Sequence, residues 1–555
     1  MQKILIYQVL PRIFGNKNNN KKTRGSISEN GCGKFNDFSE KALKSIKKLG
    51  TTHIWYTGVI EHATQTDYSA FGIKGSTASV VKGIAGSPYA IRDYYDVDPD
   101  LATNVESRMQ EFESLIGRTH NVGLKAIIDF VPNHVAREYF SDAKPSTATD
   151  FGENDNKDWH FSAQNNFYYF PNNEFNPQFD KKAYEESPAK ATGNDCFSPS
   201  PSINDWYETV KLNYGVDYCG GGQKHFDPIP DTWLKMRDIL LFWAKKGVDG
   251  FRCDMAEMVP VEFWHWAIEE VKRSYPEIIF IAEVYNPQLY REYIHFGGFD
   301  FLYDKVGMYD TLRNIIGGYQ PATSITNAWQ CTNDIQGNML HFLENHDEQR
   351  IASSFFASDA QKAFPAAMVS SLLTQAPFMI YSGQEFGEQG MDSEGFSGED
   401  GRSTIFDYWS LDCINRWRNE EKFNSKELLP NEKMCLEFYS KLGKIAQEKV
   451  IAQGTMYDLM WLNLENPDFD TTKQFAWIRK FGKETLLLVA NFSSKEEKIK
   501  LRISDEALNF LNIKEEAKNA TDLLSNKKMI FNLSANAPLS IKLKPNYGIV
   551  WKWEE

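Results

Sequence analysis

Eight short apolar runs, with amphipathic helical stretches between most of them, constrain this chain more than any other feature. They fall at residues 3–9, 53–58, 124–131, 250–254, 278–282, 301–303, 339–343 and 377–381. Strands alternating with helices in series predict an α/β fold, a (β/α)8 TIM barrel of parallel strands. The stretch 232–246 shows the helical pattern. Trp233, Met236, Leu240 and Trp243 share one stripe, Asp231 or Thr232 can cap its start, and Gly247 follows its end. Residues 431–446 repeat that spacing in Cys435, Phe438, Leu442 and Ile445.

Two regions break the rhythm. Residues 135–230 are rich in Asn, Asp, Pro, Tyr and Phe and are too long for a barrel loop, so they predict a small inserted domain after strand 3. Beyond residue 454, Leu486-Leu487-Leu488-Val489 and the runs 498–503 and 548–553 look like strands without crossover helices. The expected organisation is a barrel from 1–134 and 231–453, an insert over 135–230, and a C-terminal antiparallel β-sandwich domain over 454–555. The Asn- and Lys-rich run 15–24 reads as a mobile polar loop.

Composition excludes some partners. A formal net charge of -14 disfavours nucleic acid, whose phosphates need a basic face. No uncharged apolar run reaches membrane-spanning length. Seven scattered cysteines with no CxxC pair, and no signal-peptide pattern near Met1, predict free thiols and a cytoplasmic protein.

Active sites of such barrels lie where the strands end at their C-terminal side. Here those ends read Ile128-Asp129-Phe130-Val131-Pro132-Asn133-His134, Gly250-Phe251-Arg252-Cys253-Asp254, Ile281-Ala282-Glu283 and Leu343-Glu344-Asn345-His346-Asp347. One Asp after a strand is usually a turn former or helix cap. Four such ends in one barrel are harder to read as caps, because clustered carboxylates repel and persist where chemistry uses them. Glycoside hydrolysis uses such a cluster. One carboxylate attacks the anomeric carbon, and a second protonates the leaving oxygen and then activates water, with the two roughly 5–5.5 Å apart for retention. Arg252, two residues before Asp254 on an extended strand, points to the same side and can hold Asp254 ionised. Glu283 has to start protonated, which nearby negative charge favours. Asp347, His134 and His346 can grip sugar hydroxyls.

These motifs resemble the four signatures of the α-amylase family of retaining glycoside hydrolases (the family 13 type). They are Asp129-Phe130-Val131-Pro132-Asn133-His134, Gly250-Phe251-Arg252-Cys253-Asp254, Ala282-Glu283-Val284 and Phe342-Leu343-Glu344-Asn345-His346-Asp347. Tyr7-Gln8-Val9-Leu10-Pro11-Arg12-Ile13-Phe14 resembles the family's opening strand, and Ser87-Pro88-Tyr89-Ala90-Ile91-Arg92-Asp93-Tyr94 resembles the loop that supplies a stacking Tyr. The resemblance implies Asp254 as nucleophile, Glu283 as acid/base and Asp347 as transition-state stabiliser. Tyr89, His134, Arg252 and His346 would line the subsite of the reacting glucose, with Asp129 among the substrate-binding residues. Asp400 and Arg402 resemble a pair contacting the next sugar outward; a surface ion pair explains them equally well. Asn133 aligns with a ligand of structural calcium in many members, so calcium is an implied cofactor, though none is required for the chemistry.

The expected partner is an α-glucan, starch or a maltooligosaccharide, cleaved at α-1,4 bonds through a covalent glycosyl-enzyme. Alternatives are an α-glucosidase, a cyclomaltodextrinase-like or α-1,6-acting relative, a transglycosylase, or a non-catalytic member of the fold; the last typically lacks one of the three carboxylates present here. After the nucleophile the chain reads Met255-Ala256-Glu257-Met258, where many α-amylases carry a Lys-His pair on the leaving-group side. The loose match of Lys211-Leu212-Asn213-Tyr214 to the insert signature is a second departure.

Overall fold

The protein is described here by a computed structural model covering residues 2–555. Eight parallel strands close into a barrel: β1 (Leu5–Val9), β2 (His53–Tyr56), β3 (Lys125–Phe130), β4 (Gly250–Cys253), β5 (Ile279–Ala282), β6 (Phe301–Tyr303), β7 (Met339–Phe342) and β8 (Phe378–Tyr381). All eight predicted strands take their places, and β8 closes on β1 through Leu5↔Phe378. Side chains on alternate residues point inward. Ile6, Trp55, Ile127, Ile281, Leu340 and Met379 fill the barrel with an apolar layer. The next inward position along β3, β4 and β5 is polar: Asp129, Arg252 and Glu283. Register brings two of these side by side, Arg252↔Asp129. Gly250 opens β4 because a Cβ there would sit 2.6 Å from the Ile279 side chain.

The helix carrying the predicted Trp stripe spans Asp231–Lys245 and buries Trp233, Met236, Leu240 and Trp243. Its cap differs from expectation. Pro230 stands at the N-cap without a side-chain bond, Asp231 pairs with Lys235 one turn on (2.9 Å), and Thr232 is buried against Asn166. Proline fixes φ at the entry but offers no side-chain acceptor; its carbonyl accepts from Trp233 N at 3.0 Å.

Between β3 and that helix, His134–Ala136 pairs antiparallel with Thr209–Lys211, and two further two-stranded pieces stand outside the barrel sheet. The 15–24 run is tied down rather than loose. Asn16 Nδ2 donates to the carbonyls of Asn30 and Trp409, and Lys21 pairs with Asp412 at 3.1 Å. Its Asn side chains satisfy backbone groups, a role that polarity alone does not distinguish from solvation.

After the helix Pro430–Ala446 comes an antiparallel six-stranded sheet from β9 (Thr455–Asp458), β10 (Gln474–Phe481), β11 (Glu484–Asn491), β13 (Ala517–Asp522), β14 (Lys528–Asn532) and β16 (Tyr547–Glu554). A second sheet pairs β12 (Glu497–Leu501) with β15 (Leu539–Leu543). Arg479 anchors this region to the barrel by donating to the Leu373 carbonyl at 3.0 Å. The seven cysteines are free, and among the described residues no helix is long and apolar enough to cross a membrane.

Candidate active site

The polar layer opens into a cavity of about 320 Å³ at the C-terminal end of the barrel, walled by Tyr89, His134, Asp254, Glu283 and Asp347 among others. Its floor is organised by one guanidinium. Arg252 Nη1 donates to Asp254 Oδ1 at 2.7 Å, and Nη2 lies 2.7 Å from Glu283 Oε2. The same Nη1 is 3.5 Å from Asp129 Oδ1. Arg252 is itself buried against the rings of Trp55, Tyr89 and Tyr303. A planar fork is the one side chain that can hold two carboxylates in fixed relation.

The backbone after Asp254 adds a donor. Met255 adopts a left-handed conformation (φ 43°, ψ 44°), a costly one for a non-glycine residue. Its amide thereby donates to Glu283 Oε2 at 2.9 Å. The other oxygen of Glu283 accepts from the Tyr285 hydroxyl at 2.5 Å.

Three carboxyl groups thus share one guanidinium, with Asp347 close enough to feel its charge. Burial pushes Asp254 well above the usual carboxylate range; Arg252 pulls it down, while Glu283 and Asp347 push it further up. Asp347 is pushed up to about 7, by burial first and then Glu283. Asp129 rises to about 6, by burial against the pull of Arg252. The expectation that Arg252 alone would keep Asp254 readily ionised gives way to burial and crowding.

His346 reaches both sides of the cup. Its ring stacks on Tyr89 (centroids 5.2 Å, 26°), touches the Tyr89 hydroxyl at 2.6 Å and Gln8 at 2.8 Å, and lies 3.2 Å from Asp347. Burial first, then Arg252, hold it well below its usual pKa, so it is neutral. Asn345 Oδ1 accepts from the amides of Asp347 and Glu348, which shapes the turn presenting Asp347.

Not every predicted residue reaches the cavity. Asp129, Arg252 and His346 sit behind its wall. Asp400 and Arg402 pair with each other at 2.6 Å, and Arg402 covers the Phe396 ring at 4.3 Å. Phe396, not that pair, faces the cavity. Asn133 does not suit calcium. Its Oδ1 accepts from the Lys211 ammonium, which also pairs with Asp195 (2.7 Å) and contacts the Met258 carbonyl (3.2 Å). An internal cation already stands against the Asn133 oxygen, where a calcium ion would have to sit.

Sequence reasoning missed several wall residues: Tyr285, Lys82, Trp206, Glu208 and Phe406. Tyr285 was within reach, since it lies two residues beyond Glu283, the spacing that related Arg252 to Asp254. Glu257 is held away from the cavity, where its Oε2 accepts from the amides of Tyr285 and Asn286 (3.0 Å each).

The family model for the α-amylase catalytic domain matches residues 8–454. Alpha-amylase 3 of Dictyoglomus thermophilum is 24% identical over 376 residues, covering 64% of this chain and 66% of that protein's length. Among solved structures, a maltogenic α-amylase from Thermotoga neapolitana superposes with a TM-score of 0.64 at 18% identity, covering 100% of this chain and 99% of that one. A γ-CGTase from alkalophilic Bacillus clarkii does so at 0.65 and 16% identity, covering 100% and 70%. Likeness at those identities shows the fold.

Proposed function

The chain belongs to the α-amylase family, and on that premise we propose that it is a retaining glycoside hydrolase cleaving α-1,4-glucosidic bonds in starch-like glucans or maltooligosaccharides. Asp254 is the nucleophile, Glu283 the acid/base and Asp347 the group that stabilises the transition state. The observation that carries this reading is the single Arg252 fork joining Asp254 to Glu283. One guanidinium spans only a short gap, which favours the close carboxylate separation of a retaining enzyme over the wider one of an inverting enzyme.

In this mechanism Asp254 attacks the anomeric carbon as Glu283 passes its proton to the glycosidic oxygen, which departs as the sugar hydroxyl. Glu283 then takes a proton from water, and the resulting attack frees Asp254. The site lets both forms coexist because several carboxyl groups share one cation, so a proton stays in the cluster near neutrality. His346, neutral and locked by Gln8, stands behind the Tyr89 ring and its hydroxyl and holds that ring as the platform for the reacting sugar.

Incubation with starch, pullulan, cyclodextrin and maltotriose, with NMR of the first-formed sugar, tests the reading. Retained α product from starch and maltotriose is expected. A β product would make Asp254 a base rather than a nucleophile, and cleavage confined to pullulan would shift the linkage to α-1,6.

A further inference from the structure

We propose that Lys82 and Glu208 form a further sugar-binding pair, which takes the hydroxyls of the glucose unit adjacent to the reacting ring while Trp206 supplies its platform. The inference rests on the glucan-hydrolase reading and deepens it.

Glu208 is 3% exposed and lines the same cavity as the catalytic carboxylates. Its Oε1 lies 3.1 Å from the Lys82 ammonium, while Oε2 has no hydrogen-bond partner. A buried carboxylate oxygen without a donor requires an explanation. Other buried side-chain atoms among the described residues also lack partners, but this one alone belongs to a residue lining the cavity. Oε2 is itself shielded, so a ligand meets the pair through the Lys82 ammonium, 27% exposed, and the part of Glu208 that lines the cavity.

The surroundings say which ligand. Lys82 and Glu208 neutralise each other, so the pair offers a cation and an anion at close quarters with no net charge. That suits a neutral polyol, whose hydroxyls both donate and accept, and not a phosphate or an acidic sugar. The rest of the wall is aromatic: the half-buried indole of Trp206, with Phe396 and Phe406 in edge contact at 4.9 Å. Flat rings beside a few convergent polar groups suit the apolar face and hydroxyl rim of a pyranose.

The Trp206 ring packs on His134 at 5.3 Å, and Lys82, Trp206 and Glu208 come from chain segments other than the strand ends that carry Asp254, Glu283 and Asp347. Three chain segments meet there. Lys82 precedes the Tyr89 loop, Glu208 adjoins the strand Thr209–Lys211, and Phe406 follows β8; the Phe406 carbonyl accepts from Ala85 N at 3.0 Å.

The test is equilibrium binding to full-length Asp254→Asn protein, which holds sugar without turnover, titrated with maltotriose and with methyl α-glucoside. Adding Glu208→Gln should weaken maltotriose about 10-fold or more and methyl α-glucoside by less than about 2-fold. Lys82→Met should show the same selectivity, and serves if Glu208→Gln lowers the melting temperature strongly. Maltotriose affinity unchanged in both variants would overturn the proposal. So would an equal loss for both ligands, or a parent that binds no maltotriose. Wild-type turnover of starch is the separate control. Its absence alongside the selective loss would sink the hydrolase reading and leave the binding pair standing.

Discussion

Two charged clusters flank Asn133-His134, and they are built on opposite terms. On the barrel floor Asp129, Asp254, Glu283 and Asp347 crowd around one guanidinium. At the root of the insert, one ammonium, Lys211, is met by the Asn133 oxygen, the Asp195 carboxylate and the Met258 carbonyl. The first has more negative charge than its cation can balance, and Asp129, Asp254 and Asp347 are pushed toward their protonated forms. The second is matched. Excess like charge persists where chemistry needs it and costs stability; a matched cluster around one buried ammonium holds chain segments in register. Substitutions in the first cluster should therefore remove activity and spare or improve the fold. Substitutions in the second should do the reverse.

The largest effect tests the first half of that contrast. Asp254→Asn should lower kcat by about 10^4-fold, since an amide cannot form the glycosyl ester. Its melting temperature should match the wild type or exceed it. Glu283→Gln should lose about 10^3-fold on maltooligosaccharides yet still react with a glucosyl fluoride, whose leaving group needs no proton, and azide should restore its second step. Residual maltotriose turnover near wild type in either variant would remove that residue from its role.

The second half is tested by Lys211→Met. Asn133 Oδ1 would lose its donor, and Asp195 its partner. Asp195 is 39% exposed and would be rehydrated, so the expected loss is about 1–3 kcal/mol rather than that of a fully buried pair. Differential scanning calorimetry should show a clear drop in Tm, with kcat reduced far less than in Asp254→Asn. Because an ammonium stands at Asn133, EDTA should leave the wild-type Tm unchanged. A Tm that falls on chelation and returns with calcium would overturn that assignment.

The two clusters also differ in how far the sequence revealed them. The barrel was legible because the pleat alternates strictly: Ile127 and Asp129, or Ile281 and Glu283, share a face by spacing alone. The same rule placed Arg252 beside Asp254. The insert has no such ruler. Lys211 meets Asn133 only because His134–Ala136 pairs with Thr209–Lys211, a register fixed by about seventy residues of intervening chain. Glu208 and Lys82 meet across a still longer separation, which no local spacing reveals. Aligning Asn133 with calcium-binding relatives led to the wrong cation, since one lysine 78 positions away supplies the charge instead.

A smaller effect sharpens the boundary between the clusters. Tyr285 donates to Glu283 Oε1, and its loop is pinned by Glu257. Tyr285→Phe removes that hydroxyl with little change in volume. It should lower kcat on maltooligosaccharides about 10-fold and leave glucosyl fluoride turnover within about 2-fold, because only the proton-requiring step uses Glu283 as an acid. Equal losses on both substrates would make Tyr285 a packing residue.

The subtlest prediction concerns Asp347, whose charge should oppose the fold. Its carboxyl is pushed up to about 7, by burial first and Glu283 next, with Glu348 adding to the push and Arg252 and Arg402 opposing it. In the unfolded chain it titrates near 4. The folded protein therefore binds the proton more tightly than the unfolded chain does. Below about pH 4 both states are protonated, and the charge costs nothing. As pH rises from about 4, the unfolded chain releases its proton while the folded state resists, so stability falls until the folded group has also ionised, above about 7. Asparagine never ionises. Asp347→Asn should then melt higher than the wild type at pH 7.5, and the advantage should vanish by pH 4. The Asp347 side chain is 32% exposed, so water screens much of the penalty, and a rise of about 2 °C is the scale to look for. Catalysis should be lost in the same protein at every pH. If the variant melts lower at neutral pH, Asp347 holds the cup together and belongs with Lys211 on the matched side of the comparison. If it melts higher by the same margin at both pH values, the gain comes from packing, and the charge excess on the barrel floor is not what the fold is working against.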